Sequence, residues 1–512
     1  MRRLHFESGL HVVVCLLLAT LLSCSHRTDP DTLVMIIESS PANLDPRVGT
    51  DAQSENIDAL IFDDLLDRDE HLNAAPGLAE KWEIPDPLTY VFHLRGGVKF
   101  HDGRPLTSRD VKWTFDSLMQ GKVRSAKGAT YSSVDHIDAP DDLTVVFHLK
   151  EPTATLLWNL SGEAMGIVPY GSGAELSRVP IGSGPFRFVS AELDKDVVIE
   201  RNDGYWGEKP RLQRVHFNVV PDVTTRALEL RKGSADITSP RSLNSDMVLT
   251  LEREPTLKVL SPPGTVLAYL GFNLRDPILQ NRRVRQAVAH AVDRQALIHY
   301  LWRDFARPAN SVLPPESWAY SDTGTYEHDP ARAKQLLDQA GYPAGGDGVR
   351  FHLTMKTSTE ESSRLMAAVF QQQLREVGIV LDIRSYEAAT FLSDVGRGEF
   401  QLYSLRWIGG NQDPDIFDLV FNSNRFPPHG ANRGFYSNPR VDELIGQARR
   451  ELDQAKRKQM YAEVQRILSE DLPYVDLWYF DNVVVHSRRV KNVVLNPSGN
   501  YSFLKTAQLE KP

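Results

Sequence analysis

The stretch Gly77 to Leu118, GLAEKWEIPDPLTYVFHLRGGVKFHDGRPLTSRDVKWTFDSL, decides how the rest of the chain is read. Tyr90, Phe92 and Leu94 alternate with Val91, His93 and Arg95, the period of a strand with one face buried. Gly96-Gly97 predicts a hairpin turn with Val98 to Phe100 returning, and Asp102-Gly103 predicts a second turn. Thr107, followed three positions later by Asp110, reads as a capping box. The spacing of Val111, Phe115 and Leu118 carries it on as a helix. In this setting Asp102, after His101, serves the turn rather than a proton relay.

A second stretch, Phe400 to Phe421 (FQLYSLRWIGGNQDPDIFDLVF), predicts a strand through Leu402 and Tyr403 to Trp407 and a break at Gly409-Gly410. A helix then follows, with Asp413 as its cap and Pro414 in its first position. Such a junction sets backbone N–H groups, a large ring and small residues at one sheet edge, where open α/β sheets bind ligands. Leu33 to Ile37 predicts another strand, and Ile57, Leu60, Ile61 and Leu65 place a helix within Ser54 to Leu66. Asp329-Pro330, Asn438-Pro439 and Asp453 each open a further helix.

Composition narrows the function classes. The chain has 512 residues, 41% hydrophobic and 24% charged, enough for two or three lobes with large cores. A formal net charge of −9 argues against a general nucleic-acid binder. No G-x-x-x-x-G-K-[ST], G-x-G-x-x-G, H-E-x-x-H or G-x-S-x-G occurs, so neither a nucleotide cofactor nor a metal nor a catalytic elbow is expected. Arg2 and Arg3 precede an apolar run from Val12 to Leu22, the layout of a signal peptide over residues 1–23. Leu21-Leu22-Ser23-Cys24 resembles a bacterial lipobox, which makes Cys24 the lipidated first residue of a short tether over 24–32. The two cysteines are Cys15 and Cys24, and cleavage leaves one, so no disulfide forms. An exported hydrolase and a membrane-anchored sensor are the alternatives to a binding protein that these features leave open.

The 77–118 stretch, with its Trp82, Y-x-F-x-L-R strand and F-x-D-G-x-P-L-T-x-x-D-V run, resembles the signature of the dipeptide- and oligopeptide-binding proteins of ABC importers, solute-binding protein family 5. Pro180 to Phe186 and Arg201 to Trp206 resemble that family's P-x-G-T-G-P-Y and R-N-x-x-Y-W segments. Arg226, Leu230, Gly233 and Asp236 fit a further block, as do Tyr269 to Asn273, Arg283 to Ala287 and Asp293-Arg294. Leu336-Leu337, Ala340 to Tyr342 and Ser437 to Asp442 continue the match through most of the chain.

The resemblance implies an α/β, two-lobed periplasmic-binding-protein clamshell of the large class. The first lobe's core would comprise 33–66, 180–266 and 480–512, its extra subdomain 67–179, and the second lobe 267–479. The chain would cross between lobes near Gly264 to Ala268 and Trp478 to Phe480. The implied function is capture of a peptide-like or other small polar solute by a monomer, lipid-anchored in the cell envelope, for delivery to the transmembrane subunits of an ABC permease. The implied pocket lies along Thr50, Asp51, Ala52 and Gln53, the loop after Asp236, Tyr269, the run Arg406, Trp407, Gly409, Gly410, Asn411 and Asp413, and Trp478-Tyr479. One departure stands out. Family members that bind peptides carry W-x-G-D-x-x-D-P-D, whose first aspartate holds the peptide's α-ammonium, and here Gly410 stands in its place. A buried ammonium without a carboxylate is costly, so the departure implies a solute anchored differently, unless Asp51 supplies the charge.

Overall fold

The computed structural model describes residues 31–69, 71–162, 165–324, 326–409 and 412–510. The signal segment, Cys24, Gly410 and Asn411 lie outside the described residues. Thr32–Ile37 (TLVMII) is buried along its whole length, as a strand covered on both faces must be. It is the middle strand of a seven-stranded sheet, ordered Leu257–Leu260, Val484–Ser487, Ile237–Thr238, Thr32–Ile37, Arg214–Val219, Asp196–Arg201, Phe186–Glu192. It runs parallel to both neighbours. Val266–Phe272 (VLAYLGF), equally buried, plays this part in a six-stranded sheet, between Tyr474–Phe480 and Leu402–Trp407 and antiparallel to both. Phe351–Ser358 and Ile379–Tyr386 extend this second sheet as a parallel pair.

The chain leaves the first sheet after Leu260, enters the second at Val266, and returns between Phe480 and Val484. Each sheet has its own apolar core, one gathered around Leu33, Ile57 and Phe217, the other around Leu270, Phe417 and Val464. This is the α/β two-lobed clamshell. A four-stranded antiparallel sheet, Ala79–Asp86, Thr89–Leu94, Thr144–Leu149 and Val134–Asp141, packs its own aromatic cluster of Phe92, Phe115 and Phe147.

Local sequence accounts for most element boundaries. Tyr90, Phe92 and Leu94 are buried, and the Asp110 carboxylate accepts from Thr107 N at 2.7 Å to open Ser108–Met119. Asp329, Asn438 and Asp453 cap their helices through side-chain oxygens. Two readings need correction. Thr89–Leu94 does not pair with Val98 to Phe100, because Ala79–Asp86 and Thr144–Leu149 already occupy both its edges. The hairpin turn lies before it instead, where Asp86 Oδ1 accepts from Leu88 N at 2.8 Å, and Val98 and Phe100 bury their side chains in the cluster. Asp413 is not the cap of the helix Ile416–Phe421 either. Its carboxylate accepts from Asp415 N at 2.8 Å, forming a turn that delays the helix until after Asp415.

The glycine-rich run at 180–186 has a packing cause. A Cβ on Gly182 would sit 2.0 Å from the carbonyl oxygen of Ile61, and one on Gly184 2.7 Å from it. The R-N-x-x-Y-W run is tied to the same place, with Ser183 Oγ, Tyr205 OH and Trp206 Nε1 all donating to Asp63 at 2.9–3.0 Å. The R-x-x-x-L-x-x-G-x-x-D block also holds the first lobe together. Arg226 donates to the carbonyls of Val220, Pro221 and Ser242, and Asp236 accepts from Val34 N and from Arg489.

Candidate functional site

Strand register sorts the expected residues of the second lobe onto two faces. Ala268 lies opposite Arg406 on one side and Trp478 on the other, so these three share a face. That face looks into a cavity of about 290 Å³ at the carboxyl end of Phe351–Ser358, where Trp302, Ser358 and Glu360 complete the wall. Tyr269 and Trp407 occupy the opposite face. Their rings stack at 6.0 Å and 13°, Tyr403 and Tyr474 close round Tyr269, and Arg433 donates to the Tyr269 hydroxyl at 3.3 Å. Tyr269 is 1% exposed and belongs to the core there, while Trp407 is half-buried. Tyr479 also points away from the cavity, donating its hydroxyl to the carbonyls of Ser311 and Leu313 at 2.5 and 2.6 Å.

Within the cavity the Arg406 guanidinium lies 4.8 Å from the Phe480 ring centre and 5.6 Å from that of Trp302. Withdrawal from water lowers its pKa, against the opposing pull of Glu360. Burial pushes Glu360 up, but hydroxyls of Ser362 and Ser363 at 2.5 and 2.8 Å and the charge on Arg406 bring it below its ordinary range. Trp478 floors this wall fully buried, in contact with Trp302 at 6.0 Å.

The first lobe offers a hydrogen-bonded polar face. Glu38, just past the central strand, accepts from Gln53 Nε2 and Ser239 Oγ, both at 2.9 Å, and Tyr501 donates to Gln53 Oε1 at 2.6 Å. Arg241 holds a left-handed backbone with φ of 63°. Its N–H donates to the Val483 carbonyl at 2.8 Å, and its Nη1 donates to Asn482 Oδ1. Gly499 permits this arrangement, since a Cβ there would lie 2.5 Å from both Arg241 Nη1 and Asn482 Oδ1. Asp51 is the N-cap of Ala52–Ile61 and accepts from Ser54 N at 3.0 Å, so its carboxylate is already engaged. Thr50 and Ala52 are exposed beside it.

A groove of about 550 Å³ runs between first-lobe residues, among them Asp63, Arg68, Trp206 and Asn500, and Gln412 of the second lobe. Gln412 Nε2 donates to Thr265 Oγ1 at 3.3 Å, on the first crossing segment. Gly409 is exposed with φ of 73°, just before the two undescribed positions. Asp413 is buried behind it, and desolvation pushes its carboxyl up to about 6. The sequence thus named Arg406 and Trp478 of the second-lobe cavity and Gln53 of the first-lobe network, but missed Trp302 and Glu360 in the one and Glu38 and Arg241 in the other. Only Arg241 carried a signal, through the loop after Asp236. The other three come from separate parts of the chain that nothing short of the fold brings together.

Comparison with known proteins agrees with this architecture. Residues 73–426 match the family described as bacterial extracellular solute-binding proteins, family 5 Middle. The chain is 28% identical over 502 residues to the dipeptide-binding protein of Escherichia coli, covering 92% of this chain and 94% of that one. It is 29% identical over 484 residues to the glutathione-binding protein GsiB of Pectobacterium atrosepticum, covering 92% and 93%. It also superposes on the periplasmic binding protein DppA of Helicobacter pylori in complex with peptide STSA. The TM-score there is 0.75 at 30% identity, covering 94% of this chain and 98% of that one.

Proposed function

We propose that this chain, which belongs to the bacterial extracellular solute-binding proteins of family 5, captures a peptide-like or other small polar solute between its lobes and delivers it to the transmembrane subunits of an ABC importer. The family is one of ABC-importer binding proteins and not of enzymes. The observation that carries the reading is the pair of walls on either side of a doubly crossed boundary. One wall holds aromatic rings and charges around Arg406, and the other a polar network around Glu38. Aromatic surface with a few placed polar groups is the composition of a small-molecule site, and two hinged lobes bury such a solute by closing. Lipidation of Cys24 would hold the protein at the envelope surface, and among the described residues no helix is long and apolar enough to cross a membrane. The lobe limits, the monomeric state and the pocket membership of Gln53, Arg406, Gly409, Gly410, Asn411 and Trp478 form part of this proposal.

The solute is not anchored by an α-ammonium in the manner of peptides held by the W-x-G-D aspartate, because Gly410 stands there and Asp51 is engaged as a helix cap. A thermal-shift screen over di- and oligopeptides, glutathione, opines and metal chelates identifies the solute class. Calorimetry with a binding peptide and its N-acetylated form then tests the anchoring. Comparable affinities are expected in the native protein, with Gly410→Asp gaining preference for the free amine. A native protein that loses binding on acetylation overturns the anchoring, and catalytic turnover of any bound compound overturns the receptor role.

A further inference from the structure

We infer, resting on that reading of the cleft, that the solute carries a carboxylate or similar planar oxyanion which bridges Arg241 of the first lobe to Arg406 of the second. Closure of the lobes then depends on that anion. The two guanidinium groups meet the same crossing segment, one from each lobe: Arg406 lies over the ring of Phe480, and Arg241 bonds the side chain of Asn482. Both are cations at this boundary with donors left over. A guanidinium has five N–H donors. Arg241 directs one at Asn482, whereas Arg406 makes ring contacts with Trp302 and Phe480, and among the described residues neither has a carboxylate in ion-pair contact.

The two nearby glutamates are already answered within their own lobes. Glu38 takes donors from Gln53 and Ser239, and Glu360 from Ser362 and Ser363. A ligand ammonium therefore finds both oxygens of Glu360 and Oε2 of Glu38 engaged, while a ligand oxyanion finds open forks of donors, the geometry that suits bidentate recognition. The aromatic bed under Arg406 adds rigidity, holding the fork in one place without consuming its donors. Burial lowers the pKa of Arg241, Glu38 and Tyr501 oppose this, and the charge on Arg406 adds to the lowering. Two like charges carried on separate lobes resist closure, and an anion between them turns that repulsion into attraction from both sides.

Acid and amide forms of the same compounds test this by calorimetry with the full-length protein. The probes are Ala-Glu, Ala-Gln, Ala-Gln amide, oxidised and reduced glutathione, and their carboxamides. The expected result is at least a tenfold loss of affinity when one particular carboxylate is converted to its amide. Comparing Ala-Glu with Ala-Gln, and Ala-Gln with its amide, tells a side-chain carboxylate from the terminal one. Arg406→Met and Arg241→Met should each weaken the acid tenfold or more and leave the amide within threefold, a coupling that a merely structural role would not produce. Arg406→Lys should recover part of the loss, and the melting temperature of each free variant shows that it folds. Acid and amide binding equally well, or binding of acids unchanged in both methionine variants, overturns the bridge and leaves the solute-binding role standing. Failure of every probe to bind or to raise the melting temperature overturns that role and the bridge with it.

Discussion

Arg406 and Trp407 are adjacent in sequence and serve opposite faces, and register alone decides which one meets the cavity. Pairing of Ala268 with both Arg406 and Trp478 turns the arginine outward and sends the tryptophan into the aromatic cluster with Tyr269. The same alternation separates Trp478 from Tyr479, whose hydroxyl sits between two carbonyls. Tyr479→Phe should therefore lower stability by about 1 kcal/mol, the worth of a lost buried hydrogen bond, and leave solute affinity unchanged. Urea unfolding alongside calorimetry checks both halves, and a loss of affinity without loss of stability would return Tyr479 to the site. Asp476, three residues earlier, is half-buried beside Arg294 with Oδ1 shielded and lacking a hydrogen-bond partner, and desolvation raises its carboxyl to about 7. The folded pKa thus lies above the unfolded one, so its contribution to stability is fully present below about pH 4 and is lost as pH rises through about 7. Asp476→Asn should flatten this slope: relative to the native protein, the variant should gain about 2 kcal/mol in stability between pH 5 and pH 8. Parallel unfolding curves at the two pH values check it.

At the level of elements, caps were legible because they are local. Asp329-Pro330, Asn438-Pro439 and Asp453 need only their own following turn to act. Hairpin pairing was less legible, since Gly96-Gly97 is a competent turn in isolation but the strand before it has both edges taken by distant partners. The glycines at 182 and 184 are a third case, readable as a motif yet without a visible cause until Ile61 is brought against them. Gly182→Ala forces a methyl into the carbonyl of Ile61 and should cost about 1–3 kcal/mol of stability, the usual range for overpacking. Because the contact lies in the first lobe's core and outside the cleft walls, affinity per folded molecule should stay the same. Denaturant midpoints with and without a binding solute decide this.

For the whole molecule, the proposed closure treats the two sheets, joined by two short segments, as a pair of rigid bodies that a solute would draw together. A solute present at one hundred times its Kd should add about 2.7 kcal/mol of stability by mass action. The radius of gyration from small-angle scattering should fall at the same time. A tightly bound solute that raises the melting temperature and leaves the radius unchanged would mean binding without closure. If Arg241 and Arg406 hold the lobes apart, the free Arg406→Met protein should already be more compact than the native one.

By itself, the sequence determined the classes of element, most of their caps, the order of the family blocks and the absence of a peptide-type aspartate at Gly410, because each rests on neighbouring residues or on a contiguous pattern. It also singled out Arg406 and Trp478, which share one cavity wall. Only the tertiary structure decided that Trp407 and Tyr269 pack together while Arg406 faces the cavity, and that Asp51 is a helix cap with its carboxylate engaged. It likewise brought Trp302 and Glu360 to the cavity wall and set Glu38 and Arg241 in the hydrogen-bonded networks of the first lobe. The reason is that strand alternation admits two opposite orientations until register selects one, and a cleft between lobes is built from connections hundreds of residues apart, whose proximity no local pattern encodes.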